Sequence, residues 1–201
     1  MEQEQRPTAD AIPEDLDPPT AALASAVIDV DRFLGTDPVH TARWFALMGS
    51  ARLLADNPGL AAVLGEEAAA LLAGDDLHLT SIELEDVPMQ TDPVLSLRDL
   101  AWPEDVDGLA VAFTLDAAHV RSPEPDDASA PGSTGSAEDT GSPSSAGTPS
   151  GLRAVVAALP DGTTFSAVQQ DGQRHLALGT ALIPEVTEAL TDALTTAPGA
   201  D

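Results

Sequence analysis

From Ser122 to Ser150 the chain runs for 29 residues without a Leu, Ile, Val or aromatic side chain. In their place stand eight Ser, five Pro, four Gly and three Thr. A segment of this kind buries too little apolar surface to offset its ordering entropy, so residues 122–150 are expected to be disordered. Strand-like sequence stands on both sides, which makes the segment an insert within a fold. Loop-closure entropy grows slowly with length, so such an insert between paired strands costs little. One domain is therefore expected from two pieces, 18–121 and 152–196. An acidic tail (1–17) precedes it and a short tail (197–201) follows.

Any core must be built mostly of Ala, Leu and Val. Hydrophobic residues make up 43% of the chain, but aromatics only 3%. The chain has no Lys, Cys or Tyr, and sets eight Arg against 34 acids for a net charge of −26. That charge repels phosphate backbones and anionic lipid, so nucleic acid and membrane surfaces are poor partners. Missing Lys removes Schiff-base and P-loop chemistry, and missing Cys removes thiol nucleophiles, disulfides and thiolate metal sites. No apolar run approaches the roughly 20 residues of a membrane span. The start of the chain lacks a signal-peptide layout, and the cytoplasm is the expected compartment. A GC-rich genome and adaptation to high salt both account for the composition.

Asp17, Pro18 and Pro19 predict a helix start, Gly35 its end, and Leu23, Val27, Val30 and Leu34 its apolar face. A strand is expected at Thr41–Met48, with Ser50 as the next helix cap. Short helices follow at 51–56 and 58–64, with a further helical stretch at 66–73. A short strand is weighed at Leu79–Leu84, and Asp92-Pro93 opens another helix through Leu100. Strands are expected at Leu109–Leu115, Leu152–Leu159 and Thr163–Gln169. Pro160-Asp161-Gly162 signals a hairpin between the last two. Pro184 begins a terminal helix facing inward through Val186, Leu190 and Ala193 or Leu194. The fold class is α+β: an antiparallel sheet of about four strands, with helices on one face and at both ends.

Five segments stand out together: Thr41–Leu64, Leu79–Pro88, Ala101–Leu115, Leu152–Gly162 and Gly179–Leu194. The most specific is Trp102-Pro-Glu-x-Val-x-Gly108. In this order they resemble an uncharacterised family of small acidic proteins from high-GC actinobacteria. The resemblance implies a bacterial cytoplasmic protein and supplies no catalytic residues. Where that family's pattern carries Arg in the second hairpin strand, this chain has Gln169 and Gln170. The layout also resembles the secretion-chaperone-like fold in topology alone.

No motif carries recognisable chemistry. His40, His78, His119 and His175 show no metal-ligand spacing, and no nucleophile elbow or nucleotide loop is present. Glu66-Glu67, Asp75-Asp76, Glu83/Glu85 and Asp105/Asp107 are carboxylate pairs of the kind that 34 acids produce by chance. No catalytic residue, cofactor or metal is expected. The leading reading is a noncatalytic interaction module, an adaptor or chaperone-like protein, that binds another polypeptide through its sheet and Ala-rich helices. Alternatives are a small-molecule binder or enzyme using Asp/Glu, His and Arg, and a homodimer. Interfaces favour Trp and Arg, so the candidate contacts are Arg43, Trp44, Trp102 and Arg153. Arg43 and Trp44 are adjacent in a strand and point to opposite faces. Trp44 is expected inward, and Arg43 outward on an open face beside Arg153, forming a small basic island.

Deleting residues 122–150 and joining the strands through Asn-Gly is expected to leave cooperative thermal unfolding in place. Loss of the cooperative transition in that variant would show that the insert is structural.

Overall fold

A computed structural model describes residues 15–36, 38–103, 105–115, 151–169 and 176–196. The proposed insert, most of both tails, His119, Gln170 and His175 lie outside these residues. The order is α1 (Pro18–Leu34), β1 (Arg43–Gly49), α2 (Ser50–Asp56), α3 (Pro58–Leu64), α4 (Glu66–Ala73), β2 (Leu79–Glu83), α5 (Pro93–Arg98), β3 (Gly108–Leu115), β4 (Leu152–Ala158), β5 (Thr164–Gln169), β6 (Leu176–Gly179) and α6 (Pro184–Thr196). All strands pair antiparallel in one sheet of order β2-β1-β3-β4-β5-β6.

The α+β class holds, but among the described residues the sheet has six strands rather than about four. The short β2 is real, and β6 adds an edge strand of four residues. The helices are not confined to one face. Alternate residues of the central strands feed two separate cores. Phe45, Leu47, Ala110, Ala112, Val155 and Ala157 point toward α1. Trp44, Leu109, Val111, Phe113, Ala154 and Val156 point toward α5 and α6. The central strands are therefore buried on both sides, and their apolar runs are near-continuous for that reason.

Local chemistry sets the boundaries. Asp17 caps α1: its carboxylate accepts the Thr20 hydroxyl at 2.7 Å and the Thr20 N–H at 3.2 Å. The Thr20 hydroxyl, then its N–H, holds the Asp17 pKa below the ordinary carboxylate value. This contribution is present above the unfolded-state pKa and is lost as pH falls through the lowered one. Gly35 ends the helix at φ 60°. Leu23, Val27, Val30 and Leu34 are buried, as the spacing predicts. Ala110, Ala112, Ala157 and Ala167 lie on the face that α1 covers, beside the larger Phe45, Leu47 and Phe165. The β4–β5 hairpin closes as expected, with Gly162 at φ 88° and Leu159 N–H donating to Thr163 O at 2.9 Å. In α6 the inward residue at the open position is Leu194, which is buried with Val186 and Leu190.

Ser166 in β5 is fully buried, and its Oγ has no hydrogen-bond partner among the described residues. An unsatisfied buried hydroxyl costs about 1–3 kcal/mol. Ser166→Ala is expected to raise unfolding free energy by about 1 kcal/mol in urea titrations. A loss of stability would show that the hydroxyl has a partner in solution.

Candidate functional site

The four candidate contacts do not come together on one surface. Trp44 is fully buried, and its indole N–H donates to Ser96 Oγ at 2.9 Å, pinning α5 to the sheet. Trp102 is half-buried against the same core. Arg43 and Trp44 do point to opposite faces, but the face of Arg43 is not open: α1 covers it. Arg43 lies over the Phe33 ring, 5.5 Å from its centroid, and grips Glu83 through two bonds of 2.7 and 2.8 Å. Phe33 in turn meets Phe45 edge-on, with centroids 6.2 Å apart. Arg153 lies on this same face of the sheet. It pairs with Asp31 at 2.6 Å, donates to the Gly35 carbonyl at 2.6 Å and also reaches Gln169. The basic island is therefore replaced by two ties. One Arg stacks beside the last turn of α1 and the other caps its C-terminal carbonyl end, where a cation interacts favourably with the helix dipole.

The Trp102–Gly108 segment has a structural task. Asp107 accepts the Gly49 N–H at 2.6 Å and an Arg52 N–H at 2.9 Å. Arg52 also donates to the Asp105 carbonyl. Asp107 thus holds the backbone of Gly49, the N-cap of α2, which has no side-chain cap; Ser50, expected as that cap, is the first residue of the helix itself. Gly108 is required beside it: a Cβ there would lie 2.6 Å from the Ala158 carbonyl oxygen. Ser50 instead is buried, its Oγ 2.7 Å from His78 Nδ1 and 2.6 Å from Thr80 Oγ1. A serine so enclosed is shielded from a substrate, and its contacts with His78 and Thr80 tie the start of α2 to β2 and the residue before it.

The remaining carboxylates and His stay separate. Glu83 ends β2 and pairs with Arg43, while Glu85 lies beyond the strand. His40 is exposed, and no group of three metal-ligating side chains exists among the described residues. An open cavity of about 350 Å³ lies beside α2, with Pro19, Ala22, Ala51, Arg52, Asp76 and Leu77 in its wall.

A different surface was not legible as a site. The connection from β1 to β2 is a lobe of three short helices, α2 to α4, packed on one another. No residue of α3 is buried, and α2 and α4 bury one residue each. Leu60, Val63 and Leu64 occupy one face of α3 at i, i+3 and i+4, and all are exposed, Val63 at 83%. In α4, Leu71 is 71% exposed. These residues have the pattern of a core-facing helix, yet among the described residues that face is left largely uncovered. Their spacing was visible in sequence; the missing neighbour was not.

Removing Arg153 leaves Asp31 with its side chain only 13% exposed and its partner gone. Arg153→Met is expected to lower unfolding free energy by about 3 kcal/mol. Adding Asp31→Asn should recover part of that loss in a double-mutant cycle. Additive effects of the two changes would show that the pair does not hold α1.

A family model described as PPA1309-like protein matches residues 23–195. No curated protein and no solved structure matches the chain. Among the described residues no helix is long and apolar enough to cross a membrane.

Proposed function

Since the chain belongs to the PPA1309-like protein family, which is uncharacterised, its surfaces are the guide to its role, and we propose a noncatalytic interaction module that binds another polypeptide through the α3–α4 face. The observation that carries this reading is the outward-facing apolar side of α3, formed by Leu60, Val63 and Leu64. A contiguous apolar helix face left in water is unfavourable unless a partner covers it. The net charge of −26 sets a second copy of the chain against like-charge repulsion and favours a different protein. Trp44 and Arg153 are engaged inside the fold, which supports the lobe rather than these residues as the contact surface. The adaptor or chaperone-like role, a cytoplasmic location and a high-GC actinobacterial source belong to the same proposal; the source is supported by the Ala-rich, Lys-free composition.

A photo-crosslinking side chain at position 63, in the full chain expressed in its own organism, tests the reading. The expected result is a discrete adduct with one protein. The purified partner should then bind about tenfold more weakly to folded Val63→Asp than to the parent chain. A crosslink only to a second copy would assign the face to a homodimer. No adduct, or unchanged affinity in Val63→Asp, would overturn the proposal.

A further inference from the structure

We infer that the occupant of the α3–α4 face is a basic amphipathic helix of the partner protein; this rests on the interaction reading above and specifies its chemistry. Shape indicates a helix. The exposed apolar side chains Leu60, Val63 and Leu64 lie at helical spacing on α3, and α4 packs alongside with Leu71 exposed. Two helices lying together present a ridge-and-groove surface that receives the apolar stripe of a third. Charge indicates the sign. Between Arg52 and Arg98 the sequence has nine acids and no Lys or Arg. On the lobe, Asp56, Glu66, Glu67, Asp75 and Asp76 are all exposed. An acidic helix would meet like charge around the apolar face, whereas Lys and Arg flanking an apolar stripe would meet opposite charge. The apolar face supplies the attraction, and the acidic surround selects which helix benefits from it.

Three synthetic peptides of about 18 residues separate the contributions, with the full-length protein titrated by calorimetry at about 150 mM salt. The first is an amphipathic Leu/Lys helix. The second has the same composition shuffled so that no apolar face forms. The third is an amphipathic Leu/Glu helix. The first is expected to bind about tenfold tighter than the second, with no binding by the third. Val63→Asp and Leu71→Asp should each weaken the first about tenfold, while Met89→Asp, on another exposed apolar residue, should leave it unchanged. Equal binding of the first two peptides would reduce the effect to bulk charge and overturn the inference, as would binding of the third or insensitivity to Val63→Asp. Should crosslinking from position 63 still yield a polypeptide partner, the interaction reading stands and only the basic helix falls. Without such a partner both fall.

Discussion

Every other feature depends on the burial of the central strands from both sides. β1, β3, β4 and β5 send alternate side chains into two cores, one beneath α1 and one beneath α5 and α6. Neither core is large, because the chain builds them mostly of Ala, Val and Leu with few rings. The side holding Phe45 and Phe165 is covered by α1, and the side holding Trp44 and Phe113 receives α5 and α6. A strand slipped by one residue would exchange the two sets, so the register of the whole sheet is fixed by this division.

Charge organises what the cores leave over. The chain has only eight Arg, and three of them tie distant segments together, Arg153 in a largely buried pair and Arg43 and Arg52 in partly exposed ones. Arg153 joins Asp31 and the end of α1 across β4, Arg43 joins Glu83 at β2, and Arg52 joins Asp107 at the start of α2. These pairs link segments far apart in sequence, and they leave the α2–α4 lobe with acids at its surface. That lobe buries little of its own apolar content. Elements with few buried contacts open most easily, and binding surfaces are drawn from that class.

Much of this was legible one segment at a time. The Asp17–Pro18–Pro19 start of α1, its Gly35 stop and the Asp161-Gly162 hairpin are local chemistry, and each forms where its residues predict. The opposite facing of Arg43 and Trp44 follows from strand geometry alone. Coverage of both sheet faces was written in the unbroken apolar runs Leu109–Phe113 and Ala154–Ala158, but a buried run does not say which helix covers which side. β6 is four residues long and carries no alternation to detect. The Gly49–Asp107 bond and the Asp31–Arg153 pair join residues 58 and 122 positions apart, and no local pattern encodes such a meeting. The exposed face of α3 is the converse case. Its spacing is that of a core-facing helix, and only the arrangement of the described neighbours reveals that the face is left largely uncovered.

The central claim is that a sheet sealed on both faces supports a loosely anchored helical lobe held available for a partner. Native-state hydrogen exchange resolved by segment tests it most directly. Amides of β3 and β4 should exchange only with global unfolding, while those of α3 and α4 open at much lower free energy, independent of added denaturant at low concentration. Protection in α3 and α4 equal to that of β3 and β4 would contradict the account, because the lobe would then be as firmly packed as the sheet itself.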